Sequence, residues 1–229
     1  MSINTTAYKN ILAELNGKAT LIAVSKTKPV EDIKALYDLG QRDFGENYVQ
    51  ELIDKYEALP KDIRWHFIGH LQSNKVKYIA PFIQLIHGVD SENLLKEINK
   101  QAAKINRVVD CLLQVHIAQE ETKFGFDETE LNTIITRIKE NELKELKNIK
   151  VVGLMGMASF SEDVNLIKKE FTYLKNLFDH NTQLSTINYQ LSILSMGMSA
   201  DYKTAIECGS TMVRIGSLLF GERKPAAEK

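Results

Sequence analysis

The feature that most constrains the fold of this chain is an eightfold alternation of short apolar segments with longer amphipathic ones. Apolar, β-branched runs bounded by turn residues predict strands, which begin near Leu21, Asp43, Trp65, Leu85, Asp110, Lys150, Gln190 and Met212. A helical pattern lies between each pair of runs. The segment PVEDIKALYDLG, for example, has proline in its first turn and ends at Gly40. Strands that alternate with helices pair in parallel, because each helix returns the chain to the same edge.

Eight such units in 229 residues favour an α/β fold with a single closed (β/α)8 barrel of TIM type. The alternative is a doubly wound open sheet, which typically carries GxGxxG after its first strand. No such motif follows the first strand here, whereas glycine and serine turns cluster after strands seven and eight, where TIM barrels commonly bind phosphate. We expect residues 1–229 to form one domain, with the tail ERKPAAEK as an exposed terminus.

Composition excludes several classes of function. The formal net charge is -1, with 44% hydrophobic and 26% charged residues, so the chain lacks the basic surplus of a nucleic-acid-binding protein. Its first residues lack the basic and apolar regions of a secretory signal, and no apolar run approaches membrane-spanning length. Cys111 and Cys208 match no disulfide framework or zinc spacing, which indicates buried thiols in a reducing compartment. We expect a cytoplasmic monomer that binds neither nucleic acid nor membranes.

The first strand ends in an unusual lysine. Within LIAVSKTKP, alternation places Ile22, Val24 and Lys26 on one face, so that Lys26 closes an apolar row facing the barrel interior. One interpretation is a lysine that extends to the rim. The other is a nucleophile, because partial burial lowers the pKa of an amine and raises the neutral fraction that can attack an aldehyde. Lys28 is predicted to be solvated.

The last strand places an arginine and a glycine turn at the same end of the barrel. Within TMVRIGSLLFG, Arg214 shares a face with Gly216 and points into the mouth. A buried arginine needs a partner, which is either a ligand or a carboxylate such as Glu46 or Asp90. Gly216 and Ser217 offer backbone N–H groups and a hydroxyl to a phosphate.

Two further polar residues follow predicted strands. After strand seven, Ser199 is predicted to cap a helix that stops before Gly209, and the N-terminus of such a helix suits a phosphate. Alternatively Ser199 is only a cap, with Asp201 in the first turn already complementing the helix dipole. Asn47, after strand two, is either an N-cap or a ligand contact.

Three histidines suggest a rival class of site. His66, His87 and His116 lie near the ends of strands three, four and five, where a metal-dependent hydrolase could place its ligands. However, the chain has no HxH or HExxH pair. We interpret His66 as a structural histidine and predict no metal. Lys123, after strand five, is expected to lie in a solvated loop.

Six ordered motifs resemble a known family along nearly the whole chain: VSKTKP, FGENYVQE, WHFIGHLQSNK, GLMGM, SMGMSAD and STMVRIGSLLFG. They are similar to the pyridoxal phosphate homeostasis proteins, the YggS-like or proline synthetase co-transcribed homologue family. The resemblance implies a barrel like the N-terminal domain of alanine racemase, with pyridoxal 5′-phosphate (PLP) bound to Lys26 as a Schiff base. It also implies that Arg214 faces the pyridine nitrogen. The remaining implied contacts are the phosphate ligands Ser199, Gly216 and Ser217, with Asn47 beside the cofactor.

The resemblance also implies a role in intracellular vitamin B6 homeostasis, not catalysis. A cation opposite the pyridine nitrogen keeps that nitrogen unprotonated and makes the ring a poorer electron sink. Such a protein can hold PLP and hand it to PLP-dependent apo-enzymes. The main alternative is an amino-acid racemase of the alanine racemase type, which needs acid–base groups on both faces of the substrate carbon. A phosphosugar-binding barrel enzyme is a third possibility.

Overall fold

A computed structural model describes residues 3–120, 124–140, 142–182 and 189–222. Within these ranges, eight strands pair in parallel and in sequential order to close a barrel. The strands are β1 Thr20–Val24, β2 Asp43–Glu46, β3 Arg64–Phe67, β4 Leu85–Val89, β5 Val109–Val115, β6 Ile149–Gly156, β7 Tyr189–Ser195 and β8 Met212–Ile215. The predicted closed barrel is confirmed, and every strand begins within one residue of its predicted start.

Helices connect the strands on the outside of the barrel, as the alternation predicts. They are α1 Thr5–Leu15, α2 Val30–Asp38, α3 Val49–Ala58, α4 Val76–Ile79, α5 Glu92–Lys104, α6 Glu128–Lys139, α7 Val164–Thr182, α8 Tyr202–Glu207 and α9 Ser217–Phe220, with a 3-10 turn at Ser73–Lys75. Side-chain hydrogen bonds to free backbone N–H groups determine where several of these helices begin. The Ser91 side chain caps α5, and Asp127 and Glu130 form a reciprocal capping box at the start of α6.

The barrel has two apolar layers. One lies between strands and helices, and it includes Ala23 of β1 and Phe44 of β2. The other fills the interior, where Ile22, Leu112 and Met212 pack together with neighbouring apolar side chains. Because alternate residues of a strand face opposite sides, the interior position of Ile22 confirms the predicted facing of β1.

The two cysteines lie in different surroundings. Cys111 is fully buried in β5, and burial raises the pKa of its thiol. Cys208 follows the last residue of α8 and is only half-buried, so the prediction of two buried thiols is wrong for Cys208. Among the described helices, none is long and apolar enough to cross a membrane.

The seam between β6 and β7 depends on Gly153. A Cβ at this position would lie 1.9 Å from the Ile193 carbonyl oxygen, so the two strands approach too closely for any side chain. We expect Gly153→Ala to lower the free energy of unfolding by about 3 kcal/mol, at the upper end of overpacking effects. Urea unfolding followed by circular dichroism measures this change. Lys150→Ala on the same strand is the control, and equal midpoints for the two variants would show that the strands do not meet this closely.

Candidate functional site

Lys26 lies in a tight turn directly after β1, at the carboxyl end of the barrel. It is half-buried, and the Lys28 amide donates to the Ser25 carbonyl across the turn at 3.0 Å. Thr27 has a φ of 64°, a left-handed conformation that costs a β-branched residue free energy. Such a conformation persists only where surrounding contacts enforce it.

A buried ion cluster from β2 and α3 enforces this turn. Lys55, only 4% exposed, donates to the Ser25 carbonyl at 2.7 Å, to Glu46 at 2.8 Å and to Glu51 at 2.6 Å. Glu51 in turn accepts from the Thr27 amide at 2.5 Å. The backbone groups on both sides of residue 26 are therefore attached to one cluster, which fixes where the lysine side chain starts.

Sequence reasoning missed this cluster. A signal was present, because Lys55 follows Glu51 by four residues and Leu52 by three, which places a lysine on the apolar side of α3. Burial raises the pKa of Glu46, although Lys55 and the Ser25 hydroxyl both favour its ionised form. Lys55 thus offsets the cost of placing a carboxylate at a fully buried position.

Arg214 is the other buried cation at this end of the barrel. It is 4% exposed and donates to the Ser195 carbonyl at 2.9 Å, the Ser195 hydroxyl at 2.6 Å and the Gly156 carbonyl at 3.1 Å. These acceptors are uncharged. Burial lowers the pKa of Arg214 to about 10, opposed by the charge of Asp201, so the side chain remains a cation at neutral pH.

The carboxylate partners considered for Arg214 are engaged elsewhere. Glu46 binds Lys55, and Asp90 binds the His70 ring at 3.0 Å. The interpretation of Arg214 as an ion-pair partner of either residue is therefore wrong. Among the described residues, the hydrogen-bond acceptors of Arg214 are neutral dipoles, so no hydrogen-bonded carboxylate neutralises its charge.

The loops after β7 and β8 meet as predicted. The Ser199 hydroxyl accepts from the Gly216 amide at 3.3 Å, and Ser217 follows at the exposed start of α9. A Cβ on Gly216 would lie 3.2 Å from the Val24 carbonyl oxygen, so this turn also lies against β1, which leads to Lys26.

The predicted helix start at Ser199 is wrong. Helix α8 begins at Tyr202 with Asp201 as its N-cap residue, and Ser199 lies in the preceding turn. The reason is that the Asp201 carboxylate accepts from the Met198 amide and closes the turn before the helix begins. Ser199 therefore contributes a hydroxyl, not a helix N-terminus.

Asn47 follows β2 at the same end of the barrel. Helix α3 begins at Val49 with Tyr48 as its N-cap residue, so the N-cap interpretation of Asn47 is wrong. Its side-chain Oδ1 atom is buried and has no hydrogen-bond partner among the residues that the structure describes. A buried polar atom of this kind costs free energy unless a ligand satisfies it.

Lys28 has a structural role that the sequence did not indicate. Its ammonium donates to the carbonyls of Phe220, Gly221 and Glu222 at 2.8, 3.0 and 3.3 Å. The prediction that Lys28 is solvated is wrong, because the free carbonyls at the end of α9 attract a cation. Lys123 and most of the tail ERKPAAEK lie outside the described residues.

The three histidines do not converge on a metal centre. His66 and His87 are hydrogen-bonded to each other at 3.0 Å, whereas the His116 ring contacts the Glu120 carbonyl at 2.9 Å. No group of three or more potential metal ligands occurs in the described part of the chain. The satisfied structural role expected for His66 agrees with these contacts.

The fold and this arrangement of loops define a class. Residues 4–224 match the family model for the alanine racemase N-terminal domain. The alanine racemase of Clostridium difficile superposes with a TM-score of 0.74 over 98% of this chain and 59% of its own, at 17% identity. At that identity the likeness shows the fold alone.

Closer relatives identify the family. A pyridoxal phosphate homeostasis protein of Aquifex aeolicus is 46% identical over 207 residues, 90% of this chain and 88% of its own length. The human protein of that name is 38% identical over 91% of this chain and 80% of its own. PipY of Synechococcus elongatus, solved with PLP bound, is 33% identical with a TM-score of 0.82, covering 94% of this chain and 99% of PipY. This chain belongs to the pyridoxal phosphate homeostasis protein family.

Removing Lys55 tests the ion cluster under Lys26. We expect Lys55→Met to lower the free energy of unfolding by about 3–5 kcal/mol, because two carboxylates lose their buried cation. Lys34→Met is the matched control, since Lys34 forms an exposed i,i+4 pair with Asp38 and should change stability by less than about 0.5 kcal/mol. Urea denaturation measures both.

The defect of Lys55→Met should shrink as the pH falls. Burial already raises the pKa of Glu46, and removing Lys55 raises it further. The folded variant then binds a proton at pH values where the unfolded chain does not, so its stability increases from neutral pH towards the ordinary glutamate pKa of 4.5. A defect that stays constant over this range would contradict the assignment of Lys55 as the counter-ion of Glu46.

Proposed function

We propose that this protein binds PLP covalently through Lys26 and acts as a carrier or regulator of that cofactor in vitamin B6 homeostasis. The proposal rests on three features that lie at one end of the barrel. They are Lys26 in its fixed turn, the buried Arg214 with its neutral acceptors, and the turn in which Ser199 contacts Gly216. The PLP-bound structure of PipY and the name shared by the curated relatives support it.

The residues at this mouth fit PLP. Arg214 would face the ring nitrogen, because it is a donor whose acceptors so far are uncharged. Ser199 accepts from Gly216 and therefore keeps its own hydroxyl proton to donate to a phosphate oxygen, with Ser217 beside it. The orphaned Oδ1 of Asn47 would gain a partner from the cofactor or its bound water.

Arg214 would also limit the chemistry that bound PLP can support. When bound, PLP supplies an aldehyde carbon that bonds amines and a pyridine ring that accepts electrons. A guanidinium with a pKa of about 10 keeps its protons at neutral pH, so it would donate a hydrogen bond to the ring nitrogen without protonating it. Lys26 could then hold the cofactor while the unprotonated ring withdraws few electrons from the bound amine.

We propose that residues 1–229 form one barrel domain. We also propose that the protein is monomeric and cytoplasmic, and that PLP-dependent apo-enzymes are its acceptors.

Substituting Lys26 tests the covalent link. Wild-type protein incubated with PLP should turn yellow, and borohydride reduction followed by peptide mass spectrometry should place the adduct on Lys26. Lys26→Ala should lose both signals because it has no amine at the mouth. Lys18→Ala, which removes an exposed lysine before β1, should keep both. A wild-type adduct on another lysine would overturn the assignment.

The carrier role has a separate test. We expect PLP-loaded protein, freed of unbound cofactor, to restore activity to an apo-form of a PLP-dependent enzyme. Borohydride-reduced protein is the control, since its cofactor cannot leave. Full loading without transfer would count against a carrier, and a change in the optical rotation of alanine that Lys26→Ala abolishes would favour a racemase.

A further inference from the structure

A line of hydrogen-bonded side chains crosses the barrel interior from Arg214 towards the opposite mouth. The Ser195 hydroxyl accepts from Arg214 at 2.6 Å and lies 3.1 Å from His87 Nδ1. His87 Nε2 lies 3.0 Å from His66 Nδ1, and His66 Nε2 lies 3.0 Å from a carboxylate oxygen of Asp43. All five residues are buried, and they come from five different strands.

With both rings neutral, only one direction of the hydrogen bonds satisfies every group in this line. The Asp43 carboxylate can only accept, so His66 carries its proton on Nε2 and accepts at Nδ1. His87 must then carry its proton on Nε2 and donate it to His66 Nδ1. The Ser195 hydroxyl in turn donates to His87 Nδ1, while its oxygen accepts from Arg214, which can only donate. Both rings are then Nε2–H tautomers.

The charges around the line agree with this direction. Burial holds the pKa of His87 well below its usual range, and the charge of Arg214 acts in the same sense, which keeps that ring neutral. Burial would raise the pKa of Asp43, but hydrogen bonds from Arg64 and His66 outweigh it and lower the pKa, which keeps a carboxylate at the far end. Arg64 donates to that carboxylate through Nε at 2.7 Å.

The far end of the line reaches a cavity outside the PLP mouth. Thr20, Asp43, Arg64, Leu85 and Met212 are the first residues of their strands, and they line a cavity of about 230 Å³ together with His66. This cavity therefore lies at the amino end of the barrel. The line connects it to the guanidinium at the carboxyl end.

We propose that His87 and His66 are positioning residues for Arg214. They direct the Ser195 hydroxyl so that it accepts from the guanidinium, and the carboxylate of Asp43 at the opposite mouth sets the tautomer of both rings. The consequence for PLP rests on the proposed function, because it requires Arg214 to face the cofactor. The tautomers do not depend on that function and can be measured without cofactor.

The first experiment uses cofactor-free protein labelled with ¹⁵N-histidine. Long-range ¹H–¹⁵N correlation spectra at neutral pH should show His66 and His87 as neutral Nε2–H rings. Asp43→Leu should give mixed tautomers at both rings, since the acceptor that orders the line is gone. Asp110→Leu, which removes a carboxylate lining the same cavity, should leave them unchanged. A charged or Nδ1–H ring in the wild type, or an unmoved His87 signal in Asp43→Leu, would overturn the inference.

The second experiment measures PLP binding by absorbance titration. Ser195→Ala removes the hydroxyl that joins His87 to Arg214, and we expect about tenfold weaker binding with a shifted visible maximum. Ser195→Thr restores the hydroxyl and should recover most of both. His87→Phe should resemble Ser195→Ala. If the wild type binds no PLP, the proposed function fails while the tautomer result stands. If all variants bind with wild-type affinity and spectrum, the positioning role alone fails.

Discussion

The pairing of β8 with β1 is the constraint on which the rest of the structure depends. It sets Ile22 opposite Arg214 and Ala23 opposite Ile215, and so joins the first strand of the chain to the last. This closure brings the end of β1, which leads to Lys26, against the Gly216 turn, which follows β8. The close approach of Gly216 to Val24 shows how little space the junction leaves. An open sheet of the same strands would separate the lysine from the proposed phosphate ligands by the width of the sheet.

Two buried cations near this junction, Lys55 and Arg214, differ in the charge of their hydrogen-bond partners. Lys55 is surrounded by carboxylates and a carbonyl, so its charge is neutralised within the scaffold and it stabilises a turn with a left-handed threonine. Arg214 donates to neutral oxygens within the described residues, and the Asp201 carboxylate influences it without an ion pair among the described salt bridges. This difference in partners supports the proposal that the lysine stabilises the scaffold and the arginine acts on a ligand, although both have the same exposed fraction. Burial alone would not separate the two roles.

Sequence patterns predicted the fold well because they are local. Alternating apolar residues mark a strand, and Asp127 with Glu130 or proline before α2 marks a helix start, whatever the remainder of the chain does. The strand-end rule of parallel barrels then collected Lys26, Arg214, Ser199 and Gly216 at one mouth. The predictions that were wrong concern which of several possible hydrogen-bond partners a side chain binds. Ser199 was a plausible cap, but Asp201 two residues later closes the turn first. Lys28 looked solvated, but the carbonyls it binds lie about 190 residues further along the chain.

The histidines show why residue type and strand position were insufficient for the interior. Their placement near strand ends was compatible with metal ligation, with simple packing and with a hydrogen-bonded line. What distinguishes these roles is the identity of the groups at the two ends, an arginine on β8 and an aspartate on β2, which no pattern within one strand encodes. When both rings are neutral, a line that ends at a carboxylate has one allowed direction, because the carboxylate can only accept. In the proposed arrangement, the Asp43 carboxylate sets a single proton arrangement behind Arg214, and acceptors that hold the guanidinium in place also fix the direction of its remaining N–H groups.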